Sequence, residues 1–129
     1  MSAPILLDTT VLVDTLRNRN QRRRFLAGLV ASGQLLAIST LSIAEVYSGV
    51  RPGEDQATST LLTNLNWFPV SGAVAERAGR MKGLLRSQGQ SRSLADMIIA
   101  ATALENGCTL ATDNVKDFQM LGLSFIALP

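Results

Sequence analysis

A chain of 129 residues, 47% of them apolar and 17% charged, suits one globular domain and excludes a disordered, coiled-coil or two-domain organisation. With no histidine and a single cysteine, Cys108, it lacks the imidazole of serine and cysteine triads, the usual zinc ligands and any internal disulfide. The net charge of +2 is modest but locally concentrated, because Arg17, Arg19, Arg22, Arg23 and Arg24 crowd one short stretch; such a cluster either neutralises phosphates or an acidic partner, or is simply a solvated helix face.

Residues 4–7 are a short apolar run that stops at Asp8, which predicts a buried parallel strand carrying the aspartate at its C-terminal end. The run has no basic segment before it and does not read as a signal peptide. No apolar stretch approaches the roughly 20 residues that span a bilayer, so a cytoplasmic protein without a membrane partner is expected. Thr9 or Thr10 caps a helix to about Leu16, and the arginine-rich stretch leads into a second helix, 24–31, closed by Gly33. Residues 35–38 read as strand two. Ser39 and Thr40 then cap a helix over about 41–50, ending before Pro52.

Helical spacing continues over 54–65, and 67–70 is extended, with Pro69 assigning it to a sheet edge. Ser71 opens a longer helix to about Ser87. The Gly/Ser-rich 87–93 is a loop within the domain, Ser93 caps an apolar helix over 94–106, and Gly107 ends it. Residues 109–111 form another strand, 116–120 a helical turn, and 123–127 a last strand. Strands alternating with helices predict a single α/β domain, a parallel sheet covered on both faces, with any site at the C-terminal ends of its strands.

Asp8 and Asp113 each follow a strand directly, and Asp96 lies in the first turn of an apolar helix. Each has an ordinary explanation: Asp8 as a helix cap, Asp113 as a turn residue, and Asp96 with Ser93, like Glu45 with Ser42, as a capping-box pair. Against the second pairing, Ser39 and Thr40 place the helix start before Ser42. Glu45 then falls inside the helix and off the apolar stripe of Ile43, Val46, Tyr47 and Val50. Several carboxylates at one end of a sheet repel one another and raise each other's pKa unless a cation sits among them. Oxygen-only ligands select Mg²⁺ or Mn²⁺, ions that activate water and bind phosphate oxygens. Phosphodiester hydrolysis is the chemistry such a cluster suits.

Four segments in this order, Leu7-Asp8-Thr9-Thr10-Val11-Leu12-Val13, Ser39-Thr40-Leu41-Ser42-Ile43-Ala44-Glu45-Val46, Leu94-Ala95-Asp96-Met97-Ile98-Ile99-Ala100-Ala101-Thr102-Ala103 and Thr112-Asp113-Asn114-Val115-Lys116-Asp117-Phe118, give a chain that resembles the PIN-domain nucleases. Within that family it is similar to the VapC toxins of toxin–antitoxin pairs. The resemblance implies a three-layer α/β/α fold, Mg²⁺-dependent cleavage of RNA with Mn²⁺ as substitute, a homodimer, and inhibition by a cognate antitoxin. It assigns the core acids to Asp8, Glu45 and Asp96. Asp113 aligns best as the fourth, and Asp117 of the same motif is the other candidate. Thr9, Thr112 and Asn114 are expected to support the site. Arg17, Arg19, Arg22, Arg23 and Arg24, with Arg86 and Arg92, are candidates for holding the RNA backbone. A noncatalytic PIN-like binding module and a phosphoryl-accepting receiver domain are the alternatives. The receiver reading lacks an aspartate around 67–70, where its central strand would end.

Overall fold

Ile5–Leu7 (β1) is buried in full, as expected of a strand with helices on both faces. In the computed structural model, which describes residues 2–129, β1 is the middle strand of a five-stranded parallel sheet. Leu36–Ser39 (β2) and Thr109–Ala111 (β4) pair with β1 on either side, Asn66–Phe68 (β3) lies beyond β2, and Ser124–Phe125 (β5) lies beyond β4. The chain runs outward from β1 through β2 to β3, then returns to place β4 on the opposite flank. The crevice at the C-terminal ends of β1 and β4 is therefore the topological switch point, where open α/β sheets form their sites.

The side-chain alternation of the strands builds two core layers. Ile5, Leu7, Leu36, Ile38 and Ala111 point to one face and pack with Val11 and Leu12 of Thr9–Leu16 (α1), Leu26 of Arg22–Ala31 (α2), Val46 of Thr40–Ser48 (α3) and Leu62 of Asp55–Thr63 (α4). Leu6, Ala37 and Leu110 point to the other and meet Ile99, Ala100 and Ala103 of Leu94–Glu105 (α6) together with Phe118. Gly72–Ser87 (α5) closes that side by packing Val74, Ala78 and Leu85 on Met97 and Ala101 of α6. The three-layer α/β/α architecture is as expected, and so is the burial of α6 on nearly all sides.

Most boundaries agree within two residues, and the differences have local causes. Helix α2 begins at Arg22 rather than at residue 24, after three non-glycine residues, Asn18, Asn20 and Gln21, with φ between 53° and 58°. Asparagine tolerates that left-handed region better than most residues do, and the three together fold the chain back so that α2 starts within the arginine run. Helix α3 stops at Ser48 with Gly49 as its cap, and Tyr47, read as part of the apolar stripe, is 44% exposed. Strand β3 is the sheet edge and stops before Pro69. The last helical turn is split into Val115–Phe118 (α7) and a 3₁₀ turn, Gln119–Leu121. Strand β5 keeps only two of the five residues expected in it.

Candidate active site

Asp8 stands at the C-terminal end of the central strand and is only 4% exposed. Its backbone N–H still belongs to the sheet, donating to Ala111 at 3.0 Å, so the carboxylate leaves the sheet at the crevice. Its Oδ1 accepts from the adjacent Thr9 N–H at 2.8 Å, and its Oδ2 accepts from the Thr112 hydroxyl at 2.7 Å. A capping side chain ordinarily serves the amides of the second or third helical residue. Asp8 reaches only the first and spends its other oxygen on the far side of the crevice. Capping thus accounts for half of its contacts.

Glu45 does not close a capping box. Ser39 caps α3 by accepting from Leu41 N–H at 3.1 Å, which leaves Ser42 and Glu45 inside the helix on the face turned to α1. There the Thr9 hydroxyl donates to Glu45 Oε1 at 2.7 Å and is hydrogen-bonded to the fully buried Ser42 Oγ at 2.9 Å. Thr9 therefore fixes two acids, Asp8 through its amide and Glu45 through its hydroxyl. Sequence reasoning missed Ser42 as a support. Its one signal was the three-residue spacing to Glu45, which reads equally well as a cap.

Asp96 is half-buried in the first turn of α6, where Ser93 Oγ accepts from its N–H at 3.0 Å. The capping role expected of Ser93 is present, and the Asp96 carboxylate also faces the crevice electrostatically. Burial raises the Asp8 pKa above the usual aspartate value, against the lowering effect of the Thr112 and Thr9 hydrogen bonds; the neighbouring Asp96 and Glu45 charges raise it further. Asp96 is raised by burial too, opposed by the Ser93 hydrogen bond, with Asp117 and Glu45 adding repulsion and Arg92 relieving it. These acids thus form one repelling set. They remain splayed, since no group of three Asp, Glu, Cys or His side chains among the described residues is drawn close enough to hold a metal ion.

The β4–α7 turn divides the two candidates for the fourth acid. Asp113 is turned toward Arg22, whose Nη2 donates to both carboxylate oxygens at 2.7 and 2.8 Å. Asp117, on α7, is the one that repels Asp96, and Arg92 lies beside it with Nε donating to the Asp117 carbonyl at 3.2 Å. Thr112 Oγ1 accepts from Asn114 N–H at 3.0 Å while donating to Asp8. Thr112 and Asn114 thereby shape the turn that meets Asp8.

The arginines separate equally clearly. Arg22 is 1% exposed. Its Nη1 donates to the Pro129 carbonyl at 2.9 Å, and its Nε stands 3.7 Å from Asp14 without a hydrogen-bond partner. A guanidinium so enclosed has no face for an RNA phosphate, which corrects the expectation for Arg22: it is a structural cation between α1, α2 and the β4–α7 turn. Arg23 caps the end of α1, donating to the Thr15 and Leu16 carbonyls at 2.8 and 2.9 Å. Arg19 and Arg24 are exposed, and Arg17 is partly exposed. Arg86 is exposed in the last turn of α5, with no contact to the acids among the described residues.

The PIN domain model matches residues 5–120, which includes all of the acids above. Ribonuclease VapC10 of Mycobacterium tuberculosis is 37% identical over 116 residues, covering 90% of this chain and 86% of its own length. Ribonuclease VapC19 of the same organism is 35% identical over 115 residues, covering 89% and 92%. A toxin–antitoxin complex from Klebsiella pneumoniae contains a chain 30% identical, with a TM-score of 0.75 over 94% of this chain and 93% of that one. VapBC2 from Rickettsia felis, bound to promoter DNA, shares the fold at a TM-score of 0.82 and 24% identity, over 97% and 98% of the two chains. A central strand ending in a buried aspartate, its partner acids on α3 and α6, and a family match spanning them all lead to one conclusion: the chain belongs to the PIN domain family.

Proposed function

We propose that this protein is an endoribonuclease, the toxin of a toxin–antitoxin pair, which cuts RNA phosphodiester bonds with Mg²⁺ or Mn²⁺ at Asp8, Glu45 and Asp96. The observation that carries the proposal is the position of Asp8: nearly buried at the switch point and pressed by the charges of Glu45 and Asp96. An electrostatic arrangement of that kind is unfavourable on its own and becomes favourable around a divalent cation. The donors are hard oxygens, which suit an ion that keeps part of its hydration shell and is held in part through water. Their splayed arrangement is compatible with that mode. Relatives bearing the name ribonuclease, at 35% and 37% identity, support the substrate class.

A divalent ion bound here supplies the charge that polarises the phosphate and lowers the pKa of an attacking water. The chain's own residues do the rest. Thr112 and Thr9 fix the two oxygens of Asp8, and Thr9 with Ser42 holds Glu45 across from it. Glu45 would accept the proton of the water whose oxygen bonds to phosphorus, while the bridging P–O bond breaks and the leaving oxygen takes up a proton from solvent. Asp117 and the adjacent Arg92 flank Asp96, the arginine limiting the build-up of negative charge. Arg17, Arg19 and Arg24 lie on the α1–α2 side for contact with the RNA backbone. The cognate antitoxin and a homodimer complete the proposal. The neighbouring structures that are toxin–antitoxin complexes favour the former.

A noncatalytic module is the second reading, favoured by the absence of a closed three-acid group among the described residues. The receiver-domain alternative falls with membership of the PIN family. Incubating a mixed pool of labelled RNA with the purified protein in Mg²⁺, Mn²⁺ or EDTA, beside Asp8→Asn, decides between the first two. Metal-dependent cutting that disappears in the variant is expected. Metal-independent cutting, or none together with no metal bound in calorimetry, overturns the proposal.

A further inference from the structure

A cleft of about 120 Å³ runs between α1 and α3, lined by Val13, Leu16, Val46 and Val50, with Arg17 and Glu45 among the residues that bound it. We propose that this cleft is a subsite for one unstacked nucleobase of the RNA, next to the phosphate being cut; the inference rests on the nuclease reading given above. Three observations carry it.

The first is continuity with the acids. Glu45 belongs both to the carboxylate set and to the cleft wall. Along α1, Thr9, Val13 and Arg17 follow one another at four-residue spacing, on one face of the helix. At a rise of about 1.5 Å per residue, Val13 lies roughly 6 Å and Arg17 roughly 12 Å beyond the Thr9–Glu45 hydrogen bond. Six ångströms is the scale of a single nucleotide step, so a base adjoining a phosphate at the acids reaches the cleft without bending the backbone back.

The second is chemistry. The aliphatic walls suit the faces of a flat heterocycle, and the space, a little below the roughly 150 Å³ of a cavity that takes up one benzene ring, admits one ring system rather than a run of chain. Glu45 bounds the end near Thr9, and Arg17 with Glu54 bounds the other. Arg17 is steadied there by the Gly49 carbonyl at 3.3 Å and the Glu54 carboxylate at 3.9 Å. A fixed guanidinium and an adjacent carboxylate can read the donors and acceptors of a base edge. Sequence-selective RNA binding works on such splayed bases, and this chain, with one tryptophan, one tyrosine and four phenylalanines, has few aromatic platforms to use instead. Trp67 and Tyr47 are not among the residues that line the cleft.

The third is charge. Past Arg17 the surface continues to Asn18, Gln21, Arg23 and Arg24, which line a second depression. The strand leaving the cleft therefore runs over a basic surface that takes its phosphates.

The test sequences the ends left in a random RNA pool by the full chain, by Val50→Trp, which fills the cleft, and by Val50→Ala, which widens it. The expected result is a base preference at one position within two nucleotides of the cut. It weakens about tenfold in V50W, the scale of one lost base contact, and is relaxed toward larger bases in V50A. Melting curves establish that the variants fold, and V50A keeps the test open if V50W does not. An unchanged preference in the folded variants, or wild-type cutting with no preference, overturns the subsite. If the wild type cuts no RNA with either metal, the nuclease reading fails by itself. The cleft then stands or falls on the anisotropy of a labelled random oligoribonucleotide: tighter on the wild type than on V50W supports it, and equal affinity overturns it.

Discussion

Thr9 touches both halves of the site: its amide serves Asp8 and its hydroxyl serves Glu45. Removing that hydroxyl while keeping the side-chain volume, as in Thr9→Val, frees Glu45 to rotate and leaves the buried Ser42 hydroxyl without its partner. Loss of a group that orients a metal-binding carboxylate commonly costs about 10–100-fold. T9V is expected to lose activity on that scale in a metal-dependent cleavage assay, and to lose about 1–3 kcal/mol of stability for the unpaired buried Ser42 hydroxyl while remaining folded at the assay temperature. A T9V protein as active as the wild type would show that Glu45 needs no such support. At this scale the sequence was informative about identity and poor in orientation. The acid types and their place after strands were legible from the alternation of strand and helix. Asp113 facing Arg22, and Asp117 facing Asp96, were not, because both depend on a turn whose geometry is set by a residue about ninety positions earlier.

Helices and strands were legible wherever a cap or an apolar period marked them. Ser71 and Ser93 stand as caps to Val74 and Asp96, and β1 and β4 end close to where their apolar runs end. The start of α2 was hidden, since Gln21 caps it with no side-chain hydrogen bond and an arginine run carries no apolar period. The same region holds the one buried guanidinium among the described residues, and its energetics are asymmetric. Asp113 is 45% exposed and Arg22 only 2% at its side chain. Deleting the arginine returns a carboxylate to water, whereas deleting the aspartate strands a charge in the interior with Asp14, at 3.7 Å, as its remaining counter-charge. Asp113→Ala is therefore expected to destabilise the fold by about 3 kcal/mol in urea titration. Arg22→Met should cost less, and the double variant should recover most of the loss. Equal costs for the two single changes would refute the buried-cation argument.

For the whole molecule, a net charge of +2 is too small to draw RNA from a distance, so attraction rests on the α1–α2 corner. With Arg17, Arg19 and Arg24 there contributing roughly 0.7 of a counterion each, the plot of log affinity against log salt should have a slope near −2 for single-stranded RNA. Titration of the Asp8→Asn protein with a labelled strand at several salt concentrations measures it, and a slope near zero would remove the arginines from the interface. Sheet order was the part of the whole that the sequence did not determine, because strand periodicity says which segments pair but not on which flank β4 returns. That return has a consequence in time. Thr112 reaches Asp8 across 104 positions of chain, and β1 has β4 as one of its two neighbours. At the ordinary pace of about 5–20 residues per second, a ribosome must release the chain through at least Thr112 before the crevice exists. A growing chain therefore carries Asp8 and Glu45 long before it carries a site.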